Sequence, residues 1–415
     1  MDKPLKFCMV TTFYPPYNFG GDGMYIYRLT NELARLGHHV DVIHCEDAYT
    51  ILEKKGPKGN FPNHPNVRVE RLKSKAGFLS PLLTQQTGVP FFKSELKRKL
   101  ETNQYDVIHY HNMSLIGITA LSYGSAVKLY TTHEHWLVCP MHVLWKFNRE
   151  VCTTRSCTLC QLAGKRPPQL WRHTGLLEKM LRHIDYFISP SRFTLKKHLE
   201  LGLNIPITHI PYFLPKPKEE AGNTSSQNVT ERPFFLFVGR LEQIKGVQNL
   251  IPIFKEREEY DLFVAGDGEY KANLMEMAGD APNIKFLGRL DQAELRSLYH
   301  SAKAVIVPSI CFETFGIIII EAFSMKTPVI VNNLGALPEV VEDSGGGIIY
   351  NDRNELIQAM DKLAQLPSLR DELGKKGYEA YLKYWTEDAH IVQYFDLIER
   401  IKNKSETGLN TNAVV

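Results

Sequence analysis

Two glutamates and a glycine follow an apolar run in the second half of the chain. Glu313 and Glu321 stand eight residues apart, and Gly316 lies between them, where a helix is predicted to begin. Glycine allows close backbone approach, and the N–H groups at a helix start carry about +0.5 of a charge, which suits an anion. Glu321 would offer its carboxylate to paired hydroxyls such as those of a ribose. Each glutamate alone is more simply a cap or a solvated surface residue, so the prediction rests on the whole pattern.

Two cations follow a second apolar run, Phe234–Val238. Arg240 and Lys245 leave this predicted strand together and could clamp a diphosphate through charge-assisted contacts of about 1.5–3 kcal/mol each. By itself the pair fits two solvated loop cations equally well. Gly21, in the glycine-rich segment 20–23 before the first predicted helix, could also approach a phosphate or a sugar. That segment has neither the Rossmann glycine spacing nor a Walker lysine.

The elements that must position these residues alternate in type. Short apolar, β-branched runs are followed by segments of helical periodicity, and the predicted strands are residues 7–12, 40–44, 67–70, 107–111, 129–132, 187–189, 208–210, 234–238, 262–264, 284–287, 304–307 and 329–331. This alternation predicts mostly parallel sheets covered on both faces. Ligands of such sheets bind at the carboxyl ends of the strands, where both clusters lie.

The length of 415 residues predicts two or three domains. We predict an α/β fold with two doubly wound domains, at residues 1–214 and 233–385. A polar segment at 215–232 is the predicted linker, and residues 386–415 form a C-terminal helix and tail, with a strongly amphipathic stretch at 390–401.

Composition excludes several functional classes. The formal net charge of +3 is too balanced for a binder of duplex nucleic acid, so no nucleic-acid partner is expected. The apolar runs are far shorter than the roughly 20 residues of a membrane-spanning helix. The first residues lack the layout of a secretory signal. We therefore expect a cytoplasmic protein.

Together these motifs resemble the family 4 retaining glycosyltransferases, which have the GT-B fold. The resemblance covers nearly the whole chain and is most specific in Glu313-x7-Glu321, in Arg240 with Lys245, and in the segment Gly-Ala-Leu-Pro-Glu at 335–339. It implies two Rossmann-like domains facing across a cleft. It also implies that the C-terminal helix crosses back to the N-terminal domain.

The resemblance assigns roles in the donor site residue by residue. It implies that Glu313 faces the donor sugar and that Glu321 holds the ribose of the nucleotide. Arg240 and Lys245 would bind the donor diphosphate, and the backbone N–H groups of Gly316 and Ile317 would bind the same group.

The family also has an N-terminal histidine near the transferred sugar. His111, at the end of the predicted strand 107–111, matches it, whereas His109 fits the role less well. Taken alone, His111 is more simply a buried structural histidine.

The activity implied is that of a retaining, hexosyltransferase-type enzyme. It would move a sugar from a nucleotide-diphosphate donor to a hydroxyl of a glycolipid, a polysaccharide precursor or a small metabolite. No cofactor is expected to be required for catalysis. The alternatives are a non-catalytic regulator that binds nucleotide sugars, and a GT-B phosphorylase or epimerase. The base and sugar of the donor stay open.

Four of the seven cysteines crowd into one segment: Cys139, Cys152, Cys157 and Cys160. In a reducing compartment such crowding favours metal ligation over disulfides, and a CxxC pair with two further cysteines could close a structural zinc site. The irregular spacing leaves His135 or His142 as substitute ligands, and free packing thiols as the alternative.

A last hypothesis concerns a basic amphipathic segment at 91–100. Phe92, Leu96 and Leu100 form one stripe beside several cations, which is typical of a helix lying on anionic lipid. The simpler interpretation is a surface helix whose apolar face packs on the core. Peripheral contact with the inner membrane surface is therefore a side hypothesis.

Overall fold

The computed structural model describes residues 3–53, 56–57, 59–216 and 232–407. The chain divides into two compact units, Met1–Ile210 with Ile391–Val415, and Pro211–His390. Of the predicted linker, residues 217–231 lie outside the described part of the chain, as do residues 408–415 of the tail.

The first unit alternates strands and helices along the chain. Its elements in order are β1 (Lys6–Thr11), α1 (Gly21–Arg35), β2 (His39–Cys45), α2 (Glu46–Leu52), β3 (Val67–Leu72), α3 (Leu79–Thr87), α4 (Lys93–Thr102), β4 (Val107–Tyr110), β5 (Val127–Thr131), β6 (Trp145–Lys146), β7 (Glu150–Val151), α5 (Cys157–Ala163), α6 (Leu176–Leu181), β8 (Tyr186–Ser189), α7 (Arg192–Glu200) and β9 (Ile207–His209). Two short 3-10 helices lie at Ile118–Ser122 and Leu170–His173.

Seven strands of this unit form one parallel sheet in the order β3-β2-β1-β4-β5-β8-β9. Strands β1 and β4 are neighbours, with Val10 paired to Tyr110. The strand order reverses between them, so the crevice at their carboxyl ends is the expected ligand position. The central strands are buried along almost their whole length because helices cover both faces. Strands β6 and β7 form a separate antiparallel hairpin.

The second unit repeats the architecture. Its elements are β10 (Phe234–Val238), α8 (Ile251–Glu256), β11 (Asp261–Ala265), α9 (Lys271–Ala278), β12 (Ile284–Gly288), α10 (Gln292–Ser301), β13 (Val305–Val307), α11 (Ile317–Ser324), β14 (Val329–Asn332), α12 (Leu337–Ser344), β15 (Gly347–Tyr350), α13 (Arg353–Gln365) and α14 (Pro367–Tyr384), with 3-10 turns at Gln243–Lys245 and Val247–Asn249.

The six strands of this unit are all parallel, in the order β12-β11-β10-β13-β14-β15. This is the strand order of a dinucleotide-binding Rossmann fold. The reversal lies between β10 and β13, which is why the loops after these two strands meet at one edge of the sheet.

The last helix, α15 (Glu387–Thr407), belongs to the first unit from Ile391 onward. There the Tyr394 hydroxyl lies 3.0 Å from His109 Nδ1, and the Tyr394 ring stacks on Phe7 of β1 at 6.3 Å between centroids. The prediction that the C-terminal helix crosses back to the N-terminal domain is therefore confirmed. No helix in the described part of the chain is long and apolar enough to cross a membrane.

Each predicted strand overlaps a strand of the structure, with bounds that differ by at most two residues. The β6–β7 hairpin and β15 were not predicted. The helix predicted at 390–401 is longer at both ends, and the prediction of two doubly wound α/β domains is confirmed.

Candidate functional site

The loops that follow β10 and β13 are tied together at the point where the strand order reverses. The Ile310 amide donates to the Ile244 carbonyl at 2.9 Å. Gly246 has φ of +77°, and a Cβ added there would lie 1.9 Å from the Pro308 carbonyl oxygen. Only glycine fits this approach, so the sequence at 246 permits the two loops to join.

Lys245 and Glu313 meet across this junction. Lys245 Nζ lies 2.7 Å from Glu313 Oε1, and the Ser309 hydroxyl donates to the same oxygen at 2.6 Å. Burial opposes ionisation of Glu313, but Lys245 and the hydrogen bonds of Lys245 and Ser309 outweigh it, so the pKa of Glu313 lies below its ordinary value. Burial likewise opposes the charge on Lys245, and Glu313 raises the pKa of Lys245 above its usual value. The site therefore holds a charged pair at neutral pH.

Arg240 lies on the same loop as Lys245 but has a different partner. Its Nη1 is 2.7 Å from Glu242 Oε1, and its side chain is 55% exposed. Its positive charge contributes to the lowered pKa of Glu313, so it lies within electrostatic range of the pair. Arg240 is thus a solvent-facing cation beside the charged pair, available to an anionic ligand.

Helix α11 begins directly after the loop that carries Glu313. Gly316 precedes it in the left-handed region, with φ of +88°, and a Cβ there would lie 2.7 Å from Leu337 Cδ2. The first amides of a helix, here starting with Ile317, lack partners within the helix and carry partial positive charge. The structure thus places Gly316 and Ile317 where they were predicted to lie.

Glu321 lies farther along α11. Its Oε2 accepts a hydrogen bond from the Tyr299 hydroxyl of α10 at 3.0 Å. Burial and the nearby Glu321 carboxylate hold the pKa of Tyr299 far above its ordinary value, so Tyr299 remains a donor. This contact fixes the direction of the Glu321 carboxylate.

The segment at 335–339 supports the backbone of Glu313. The Ala336 amide donates to the Glu313 carbonyl at 3.1 Å. Gly335 has φ of +69°, and a Cβ there would lie 2.8 Å from the Glu313 amide nitrogen. The conspicuous Gly-Ala pair therefore positions the charged residue through main-chain contact.

In the first unit, His111 follows β4 and is fully buried. His111 Nδ1 lies 2.9 Å from His133 Nε2, and the His109 and His111 ring centroids are 4.0 Å apart. Burial, reinforced by the neighbouring histidines, keeps the pKa of His111 far below its ordinary value, and burial lowers that of His133 to about 4. Both rings are neutral at pH 7. His111 Nε2 has no hydrogen-bond partner among the described residues.

Gly21 is the first residue of α1 and is exposed, and the preceding Gly20 caps the helix without a side-chain hydrogen bond. The loop is tight at Gly23, where a Cβ would lie 2.8 Å from Asn18 Cβ. This glycine-rich turn follows β1, beside the strand that leads to His111.

The four clustered cysteines line one cavity, together with Met141 and Trp145 among others: Cys139, Cys152, Cys157 and Cys160. All are free thiols. The Cys160 sulfur accepts a hydrogen bond from the Phe147 amide at 3.3 Å. Among the described His, Cys, Asp and Glu side chains, no group of three is arranged so that it could hold a metal ion. The zinc site thus stays a prediction.

Two residues that contact the predicted site were missed from the sequence: Ser309 and Tyr299. Ser309 follows β13 within two residues, and its position at a strand end was the available signal. His133, which follows β5 and contacts His111, was not assigned a role from the sequence. Tyr299 gives no such signal because it lies within a helix, in the last turn of α10.

Two family models match most of the chain. The model described as Glycosyltransferase Family 4 matches residues 19–214, and the model described as Glycosyl transferases group 1 matches residues 220–380. An uncharacterized glycosyltransferase of Methanocaldococcus jannaschii is 27% identical over 377 residues, covering 84% of this chain and 86% of that protein.

Solved structures share the fold at lower identity. Sucrose-phosphate synthase from Thermosynechococcus elongatus has a TM-score of 0.70 at 20% identity, covering 96% of this chain and 99% of its own. Anabaena HepE in complex with UDP and glucose has a TM-score of 0.67 at 16% identity, and the match covers 95% of this chain and 99% of HepE. The two family models, the relative from Methanocaldococcus jannaschii and the two Rossmann-like units all point to the same family. The chain belongs to the family 4 glycosyltransferases and has the GT-B fold.

Proposed function

We propose that this glycosyltransferase moves a sugar from a nucleotide-diphosphate donor to an acceptor hydroxyl with retention of anomeric configuration. The observation that carries the proposal is the Lys245–Glu313 pair at the reversal of strand order, beside the start of α11. This arrangement puts a cation, a carboxylate and helix amides at the position where α/β sheets bind nucleotides.

The cations and the helix start bind the diphosphate. Cleavage of the bond between the sugar C1 and the phosphate oxygen builds negative charge on the leaving group. Lys245, Arg240 and the first amides of α11 stabilise that charge as it develops, which accelerates the step more than it tightens ground-state binding. The raised pKa of Lys245 keeps it cationic throughout the neutral range.

The two glutamates bind the neutral parts of the donor. Glu313, fixed by Lys245 and Ser309, accepts hydrogen bonds from hydroxyls of the transferred sugar. Glu321, oriented by Tyr299, accepts hydrogen bonds from the ribose. Sugar contacts at the reacting ring affect turnover, whereas ribose contacts are shared by ground and transition states.

Retention follows from attack on the face from which the diphosphate departs. The acceptor oxygen forms a bond to C1, the C1–phosphate bond breaks, and the acceptor proton passes to the departing phosphate oxygen. The lowered pKa of Glu313 makes it a weak base, which favours the phosphate as proton acceptor. In the first unit, His111 Nε2 is the group we assign to a hydroxyl of the transferred sugar.

The first experiment is a thermal-shift screen with UDP, GDP, ADP and their sugars, because a ligand that binds the folded state raises the melting temperature. UDP is the first choice because Anabaena HepE binds it. With the stabilising donor, proton NMR of the product then reads the anomeric coupling. A product with the donor's configuration supports the proposal, and an inverted product overturns retention. Binding without release of nucleoside diphosphate would indicate a non-catalytic regulator.

A further inference from the structure

Helix α3 turns its large apolar side chains away from the protein. Phe78, just before the helix, is 61% exposed, and the residues Leu79, Leu82 and Leu83 are exposed as well. Residues four apart lie on one side of a helix, so these four form a continuous surface, here named the apolar face. A helix packed on a core by an apolar stripe has the opposite orientation.

The inward side of α3 is small and polar, and it is anchored. The Ser80 hydroxyl donates to Asp47 Oδ2 at 2.7 Å. The Phe91 amide donates to Thr84 Oγ1 at 3.0 Å, and Trp171 Nε1 donates to the Gln85 carbonyl at 2.9 Å. These contacts fix the rotation of the helix, so the leucines are held in their outward position.

Cations flank the apolar face on both sides along the chain, while α3 itself carries no charge. Residues 71–99 contain seven Lys and Arg residues against a single acidic residue. Several of the cations have acidic partners, but Lys75, Lys93 and Arg98 are exposed and make no ion pair within the part of the chain that the structure describes. This stretch of the chain is thus apolar at its centre and has exposed cations before and after it, here named the basic rim.

The neighbouring 3-10 helix Leu170–His173 packs against α3 and extends the same pattern. Leu170 is 67% exposed, and Lys165 and Arg166 lie a few residues before it. By contrast, the stripe predicted on α4 is not available, because Leu96 and Leu100 are buried in the core and Phe92 packs against it. The simpler interpretation of that segment was correct.

We propose that the apolar face seats this protein on the surface of an anionic phospholipid bilayer. Exposed apolar side chains stabilise binding when they enter the boundary between head groups and acyl chains. The cations at the basic rim add electrostatic attraction to the lipid phosphates. A second copy of the chain fits less well, since a symmetric contact would bring the same cations together. Membrane binding through the apolar face does not require the proposed reaction.

The test is sedimentation of the full chain with vesicles of phosphatidylglycerol and phosphatidylcholine, compared with vesicles of phosphatidylcholine alone. Binding to the anionic vesicles is expected, with a partition constant that falls as salt is raised. Leu82→Ser/Leu83→Ser should weaken the partition constant about tenfold or more, because the buried CH₂ groups are lost. Lys75→Gln/Lys93→Gln should weaken it by about fivefold per cation.

Met275→Ser/Met277→Ser is the matched control, since these methionines are also exposed but lie on α9 of the second unit. It should bind vesicles like the parent, and circular dichroism should show all variants folded. The proposal is overturned if the parent does not sediment with anionic vesicles, or binds both vesicle types equally. Unchanged binding by the leucine variant also overturns it. If light scattering shows that the parent is a dimer and that Leu82→Ser/Leu83→Ser is a monomer, the apolar face binds a second copy of the chain instead.

Discussion

Lys245 Nζ lies 2.7 Å from Glu313 Oε1, although the two residues are 68 positions apart in the chain. The contact exists because β10 and β13 are neighbours in the sheet and the strand order reverses between them. Their two loops emerge at the same edge, and the charged pair closes the junction. An anionic ligand arriving there meets a cation that is already held in place.

The pair should stabilise the second unit as well as bind the donor. Lys245→Met leaves the partly buried Glu313 carboxylate without its cation, which should raise the pKa of Glu313 and lower the free energy of unfolding by about 1–3 kcal/mol. Chemical denaturation at pH 7.5 measures this. Lys362→Met, at an exposed lysine of α13, should change little. A double variant with Glu313→Gln should cost less than the sum of the single changes, and strict additivity would show that the two residues do not interact.

Substitutions of Glu313 and Glu321 should affect different kinetic constants. Glu313→Gln should chiefly lower kcat, by roughly 100-fold, because it removes the contact to the sugar being transferred. Glu321→Gln should chiefly raise the donor KM. Steady-state kinetics with varied donor concentration distinguishes them, with Glu276→Gln at an exposed position of α9 as the control. Reversal of the two effects would exchange their roles.

How much of the site could be predicted depended on whether a residue followed a strand. The run Phe234–Val238 is fully apolar, so the strand and the loop with Arg240 and Lys245 were found from pattern alone. The joining of that loop to Glu313 required strand order, which local sequence does not encode. Tyr299 was missed because its partner Glu321 lies on another helix.

The fold of the cysteine segment could not be predicted from local sequence. Its hairpin has two-residue strands joined through Phe147 and Asn148, both with positive φ, which local propensity does not predict for a phenylalanine. The shared cavity of Cys139 and Cys157 therefore emerges only in three dimensions.

Stability should fall with pH below neutrality. Burial lowers the pKa of His198 to about 4, against about 6.5 in the unfolded chain. The unfolded state therefore binds more protons below pH 6.5, so the contribution is present above that pH and is lost as pH falls toward 4. The lowered pKa of His198 should account for about 2 kcal/mol of the free energy of unfolding that is lost between pH 7.5 and 5.0. Denaturation of His198→Asn at both pH values should show a correspondingly smaller loss. The exposed His39→Asn serves as control, and an equal loss in both variants would contradict the assignment.

The cysteine cavity makes a prediction about metal. If Cys139, Cys152, Cys157 and Cys160 bind zinc, protein purified without chelator should carry close to one equivalent. A strong chelator should then lower its melting temperature, because metal binding adds folding free energy. Elemental analysis measures the content, and Cys157→Ser should abolish it, whereas Cys311→Ser, in the second unit, should not. Absence of bound metal, with no effect of the chelator on the melting temperature, would show that the four cysteines are packing residues.

The contact between Lys245 and the leaving diphosphate is the central feature of the proposed reaction. The direct measurement is acceptor-dependent release of nucleoside diphosphate from the donor that stabilises the parent protein, compared between the parent, Lys245→Ala and the control Lys362→Ala. We expect Lys245→Ala to lower kcat/KM by at least about 100-fold, since it removes a charge that acts most strongly in the transition state. Equal rates for all three proteins would contradict this expectation.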